Sequence, residues 1–206
     1  MYNRTNNREK LFISDENRHF FLRKYDEILS LFAETFCWCL LPNHFHLLIR
    51  IKSLEAIQTN LLKKSELSLI QTERKFLKNE CLLSDLIEQA FKRFFQSYSL
   101  SFNKEHKRSG NLFYRPFKRI LINKESQFTR AIIYIHANPQ KHGLVKNFTF
   151  YKWSSWNSIL STNPTKLLRE ELIDWFGNKE IFIQAHLEQT AFYEDVAIED
   201  QIKKPL

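Results

Sequence analysis

An α+β fold is predicted by three observations: short runs whose apolar residues alternate with period two, longer runs with helical periodicity, and turn residues separating the two kinds. After a short extended start at Tyr2–Arg4, residues 15 to 34 place Phe21, Tyr25, Ile28, Leu29 and Phe32 on one helical stripe, with Ser14 positioned to cap it. The runs TFCWCLL and HFHLLIRI flank Pro42-Asn43, a pair suited to the centre of a tight turn, so residues 35 to 51 read as a hairpin. Residues 53 to 83 are polar and helix-forming, an exposed helical excursion. A clearer helix runs from Ser84 to about Leu100 with Ile87, Phe91, Phe94, Phe95 and Tyr98 inward. Ser109-Gly110-Asn111 breaks the chain, and LFYRPFKRILI reads as a strand whose Pro116 marks an edge or a bulge. Asn123 is placed to cap a helix over 124 to 137, ended by Asn138-Pro139. Helices packed on a largely antiparallel sheet account for this order.

The 206 residues are enough for one good-sized core with an appendage. The cysteines number three, two of them in a buried-looking strand, which fits a reducing compartment better than a disulfide framework. No run is long and apolar enough to span a membrane, and MYNRTNNREK lacks the apolar core of a signal peptide. A cytoplasmic location and no membrane partner are expected.

Charge is unevenly spread. The chain carries +8 overall, but residues 170 to 206 hold nine acids against three bases, leaving residues 1 to 169 at +14. A basic body with an acidic tail favours a polyanionic partner, most simply nucleic acid. The segment from 91 to 120 is densest, with Lys92, Arg93, Lys104, Lys107, Arg108, Arg115, Lys118 and Arg119 against Glu105 alone. Phenylalanines and tyrosines are interleaved there, a mixture able to neutralise phosphates and stack unpaired bases, although most of those rings must serve the core.

His44 and His46 flank Phe45, so both imidazoles look to one face of their strand while Phe45 looks to the other. Such a pair is either two satisfied polar residues or half of a metal site. A structural zinc alternative would recruit Cys39, and Cys37 beyond it, from the facing strand. On the later helix Phe128, Ile132 and Ile135 form an apolar stripe, whereas Arg130, Tyr134 and Asn138 fall four apart along a polar one. A nucleophile, a metal to polarise the phosphate and a basic surface are together what phosphoryl transfer to a nucleic acid requires.

PNHFHLLIRI, SFNKEHKRSGNLFYRPFKRILI, YIHANPQKHGLV and YKWSSW, in that order, resemble the REP-associated tyrosine transposases, a branch of the single-tyrosine HUH transposases. The resemblance covers roughly residues 2 to 160 and implies a ferredoxin-like, RRM-like sheet with the histidine strand near its middle. It assigns His44, His46 and Asn138 to a divalent cation, Mg²⁺ or Mn²⁺, and Tyr134 to the nucleophile. The partner it implies is single-stranded or hairpin DNA from repetitive palindromic elements, bound as a monomer or a homodimer. The implied reaction is cleavage and rejoining by transesterification through a 5′-phosphotyrosine. Arg115, Lys118 and Arg119, with Lys107 and Arg108 behind them, are the expected contacts to the DNA backbone. The alternative is a relative that binds structured nucleic acid without cutting it; a nuclease activating water is a third reading. Two features depart from the pattern: the first strand is short, and the acidic region after about residue 163 lies outside the shared blocks. A catalytic domain over 1 to 160 and an acidic helical extension over 161 to 206 are therefore expected, the latter packing through Leu172, Trp175, Phe176, Ile181 and Phe182.

Overall fold

The computed structural model describes residues 1–6, 9–114 and 116–192, and these form two compact units. Unit 1 comprises residues 1–11, 35–49 and 115–206; unit 2 comprises 12–34 and 50–114. Three strands, β1 (Tyr2–Arg4), β2 (Ala33–Leu41) and β3 (His44–Ile51), make one sheet in the order β1-β3-β2. The histidine-bearing strand β3 is therefore central. The expected hairpin is present, with Pro42 and Asn43 as its turn.

Both edges of the sheet are covered, which removes the hazard of unpaired strand groups. Along β2, Leu40 N donates to Trp153 O (2.8 Å), Ser155 N to Trp38 O (2.9 Å) and Leu168 N to Thr35 O (2.9 Å). Along β1, Tyr2 and Lys118 exchange backbone hydrogen bonds of 2.9 and 3.0 Å. Among the described residues the strand expected over 112–122 is reduced to isolated bridges, at Phe113 and at Lys118, and is not a strand in its own right. Pro116 has no N–H to give and disfavours regular pairing between them.

The core of unit 1 lies between the sheet and α5 (Glu125–Lys141), and it joins Phe36, Cys37, Cys39, Leu41 and Leu48 to Ile132, Tyr134 and Ile135. The short helices α6 (Trp156–Leu160) and α7 (Arg169–Asp174) and the longer α8 (Lys179–Phe192) contribute Trp156, Ile159, Leu172 and Phe182 to that core. Leu172 and Phe182 are wholly buried, each adding roughly 1.5–3 kcal/mol. Trp175 and Ile181 remain largely exposed.

Helix α5 outruns its sequence boundary. Expected to stop at residue 137, it continues through Pro139 to Lys141, and its N-cap is Lys124, without a side-chain cap bond, in place of Asn123. Two contributions override the proline. Residues Ile132 to Pro139 are all buried, so tertiary packing holds the turn. A glycine cap then closes it: Gly143, at φ +66°, donates to Gln140 O (2.9 Å), and Leu144 donates to Pro139 O (2.9 Å). This paired pattern with a left-handed glycine satisfies carbonyls that the helix end would leave open.

Unit 2 is helical. Helix α1 (Asp15–Leu29) starts at a Ser14/Asn17 capping box and packs on α4 (Leu83–Glu105), where Phe21 meets Phe94 at 4.9 Å and Tyr98 at 5.2 Å between ring centroids. The inner face of α4 runs through Leu86, Ala90, Phe94 and Tyr98, with Ile87 and Phe95 only half-buried. The excursion over 53–83 contains α2 (Leu54–Leu62) and α3 (Gln71–Leu77), tied by the buried Glu73 to Lys64 (2.6 Å) and Arg93 (3.4 Å). Among the described residues no helix is long and apolar enough to cross a membrane.

Candidate active site

Alternation along β3 turns His44 and His46 to the face that carries Leu48 and meets α5, and the fully buried Phe45 to the other face; the two imidazole centroids are 5.2 Å apart and nearly perpendicular. The register of β1 sets Tyr2 opposite His46 and Arg4 opposite His44. Tyr2 stacks on the His46 ring at 5.6 Å and 26°.

Helix α5 meets this pair along one stripe. Tyr134, Asn138 and His142 stand four residues apart, so they share a helix face. Tyr134 lies edge-on to His46 at 5.5 Å, and His142, at the C-cap of α5, lies edge-on to His44 at 5.0 Å. Asn138 stands on the intervening turn, wholly buried. Its Nδ2 donates to Tyr134 O (3.0 Å), while its Oδ1 is buried with no hydrogen-bond partner. An unsatisfied buried acceptor costs about 1–3 kcal/mol, so a group that satisfies Oδ1 binds with that much in its favour. Lys141, in the last turn of α5, holds its Nζ over the Tyr134 ring at 5.1 Å.

The electrostatics keep His46 neutral. Burial pushes the His46 imidazole well below its usual range, helped by His44, the amino terminus, His142 and Lys141. Asn43 Oδ1, an acceptor, lies 2.7 Å from His44 Nδ1, so Nδ1–H donates to it and Nε2 is the nitrogen bearing the lone pair. Neutral imidazole is the form that ligates metals. Two imidazoles and one amide oxygen form a mixed donor set compatible with a divalent cation that also takes water or phosphate oxygens.

The cysteines fit no such role. Cys37 and Cys39 are completely buried, and burial raises both thiols far above their usual range. Among the described residues no group of three His, Cys, Asp or Glu side chains is arranged to hold a metal ion.

The expected backbone contacts are dispersed. Lys118 and Arg119 are exposed in unit 1, Arg119 lying 6.0 Å from the Phe117 ring, and Arg115 lies outside the described residues. Lys107 and Arg108 belong to unit 2. Lys107 is exposed at φ +50°, and Arg108 donates to Asn103 Oδ1 (3.1 Å) and Asn111 O (3.4 Å), holding the loop after α4. Tyr98 is a core residue of unit 2, and burial raises its phenol above the usual range; Tyr114 is partly exposed in the same unit.

Tyr2, Arg4, Lys141 and His142 belong to the site although sequence reasoning passed over them. Lys141 and His142 continue the Tyr134 stripe, a signal hidden by reading Asn138-Pro139 as the end of the helix.

No protein-family model matches the chain, and no curated protein matches it. Among solved structures, it is similar to one described as a REP-associated tyrosine transposase bound to a REP hairpin, with 17% identity, 79% of each chain covered and a TM-score of 0.47.

Proposed function

We propose that this protein cleaves and rejoins single-stranded or hairpin DNA by transesterification, with Tyr134 as nucleophile. The observation that carries the reading is the meeting of Tyr134 with His46 beside a buried carbonyl oxygen, Asn138 Oδ1, that has no partner among the described residues. A core tyrosine beside a histidine needs no such vacancy; a phosphoryl-transfer site does.

A free phenol, with a pKa near ~10, is a poor nucleophile at neutral pH. His44, His46 and Asn138 would hold Mg²⁺ or Mn²⁺, which when bound would supply Lewis-acid charge to the scissile phosphate. The chain does the rest. His46 stays neutral, and the two imidazoles would supply lone pairs to the cation. Asn138, through its bond to Tyr134 O, ties the donor oxygen to the turn that carries the nucleophile. Lys141 places a positive charge beside the phenol ring, where negative charge develops as the proton departs. Tyr134 Oη then forms the bond to phosphorus, the bond to the 3′-oxygen breaks, and that oxygen takes up a proton. One phosphodiester replaces another, so a second 3′-hydroxyl reverses the step and joins strands without ATP.

Incubation with hairpin and single-stranded DNA in Mn²⁺ or Mg²⁺, followed by denaturing electrophoresis, tests this directly. A covalent adduct is expected with the native protein and none with Tyr134→Phe, which removes only the hydroxyl and should leave fold and DNA affinity unchanged. Cleavage without an adduct would assign the attack to water, and an adduct persisting in Tyr134→Phe would assign it to another residue.

A further inference from the structure

The longest stretch of the chain without an acid runs from residue 126 to 169, and it holds Arg130, Lys141, Lys146, Lys152, Lys166 and Arg169. Within it, just beyond α5, a 3₁₀ turn at Phe148–Phe150 splits two phenylalanines to opposite environments: Phe148 is 1% exposed and Phe150 is 81% exposed. A single exposed apolar residue is ordinary on a protein surface. Phe150 differs because the backbone on both sides of it is fixed. Asn147 Oδ1 accepts from Thr149 N (2.9 Å), Phe148 N donates to Gln140 Oε1 (3.1 Å), and the Tyr151 hydroxyl donates to Leu40 O (2.9 Å). The Gln140 bond ties the turn to the last turn of α5, the same turn that carries Lys141 over Tyr134 and His142 beside His44. Lys146 and Lys152 flank the ring in sequence and are both exposed.

We infer that Phe150 is a stacking platform for an unpaired base of the strand bound at Tyr134, with Lys146 and Lys152 contacting the phosphates on either side of that base. The inference rests on the proposed DNA reading and adds a contact surface to it. A fixed aromatic face loses little conformational freedom when a base settles on it, and flanking ammonium groups release counterions from the backbone. A π-face accepts any base, so the platform confers preference for unpaired over paired DNA without reading sequence.

The test is fluorescence-anisotropy binding of a labelled single-stranded oligothymidine and of a duplex of the same length, across a range of salt. Phe150→Ala should weaken single-strand binding by about 5- to 100-fold and leave duplex binding nearly unchanged. Phe150→Trp should restore affinity, and its added indole emission should be quenched by the oligonucleotide. Lys146→Gln with Lys152→Gln should reduce the salt slope by one to two phosphate equivalents, roughly 0.7 per contact for a single strand. Phe150 is exposed, so all these variants should melt with the native protein. Equal single-strand affinity for Phe150→Ala and the native protein would overturn the platform, as would loss of self-association in that variant with DNA binding intact. If the native protein forms no Tyr134 adduct yet Phe150→Ala loses single-strand affinity, the cleavage reading fails and the platform stands. If the adduct forms and Phe150→Ala binds normally, the reverse holds.

Discussion

Unit 1 contains two histidine pairs built from the same elements and used in opposite ways. His44 and His46 sit on β3 beside α5; His136, on α5, pairs with His186 on α8. The second pair is closed. His186 Nδ1–H donates to Phe182 O (2.7 Å), His136 Nδ1–H donates to His186 Nε2 (2.9 Å), and the Ser155 hydroxyl donates to His136 Nε2 (2.9 Å) while its oxygen accepts from Trp38 N (2.9 Å). Every ring nitrogen is used, both imidazoles are neutral, and Trp156, Phe148, Phe176 and Phe182 surround His186. The first pair has neighbours at ring-contact distance but stands beside an acceptor with nothing to accept. His46 is buried and neutral as His136 and His186 are, so neither property marks a functional histidine. What separates them is hydrogen-bonding capacity left over for a ligand.

That difference should show most strongly when each pair is broken. His44→Ala is expected to lower adduct formation by at least about a hundredfold and to abolish Mn²⁺ binding by calorimetry, with a stability change under about 1 kcal/mol because the residue is only half-buried. His186→Ala should do the reverse, costing about 3 kcal/mol of unfolding free energy by leaving a cavity among aromatic rings and an unpaired His136 nitrogen. Denaturant unfolding and metal titration of both variants check the pair of outcomes. A His44→Ala protein that binds Mn²⁺ as before would dissolve the distinction.

The open pair was legible in the sequence and the closed pair was not. His44 and His46 announce themselves because strand alternation is local, and Pro42-Asn43 fixes where the strand starts. Tyr134 and Asn138 are legible because four residues is one helical turn. His136 and His186 are 50 residues apart, and nothing short of the packing of α8 on α5 reveals that they touch. The same holds for Glu73, whose burial depends on Lys64 and Arg93 arriving from other elements. Local rules also misled in two places. Asn138-Pro139 reads as a stop because proline cannot donate, but burial and the Gly143 cap carried the helix on and brought His142 to the site. The apolar content of LFYRPFKRILI suggests a strand, but among the described residues only isolated bridges at Phe113 and Lys118 formed.

Acid should act on the closed pair through linkage. Burial lowers His186 to about 4 and His136 well below its usual range. In the unfolded chain each imidazole takes up a proton near pH ~6.5. Between those values unfolding binds protons, so stability is full above about pH 6.5 and falls as pH drops toward 4, with His186 alone accounting for on the order of 3 kcal/mol. Urea midpoints measured from pH 7.5 down to 4 should show that decline, and His186→Gln should flatten it. An equally steep decline in that variant would place the acid sensitivity in other groups.

The smallest effect is expected from Cys39, and it sharpens the comparison from the other side. Its strand faces the same core as the site, and a zinc reading would make its sulfur a ligand with His44 and His46. Its thiol is fully buried and held protonated, so Cys39→Ala should remove only packing, costing about 1 kcal/mol, and leave Mn²⁺ affinity within about twofold. Parallel titrations with Zn²⁺ and Mn²⁺ against the native protein and this variant give the reading. A loss of Zn²⁺ affinity of several orders of magnitude would make Cys39 a ligand, and would mean that the open pair is completed from β2 instead of by the unpartnered oxygen of Asn138.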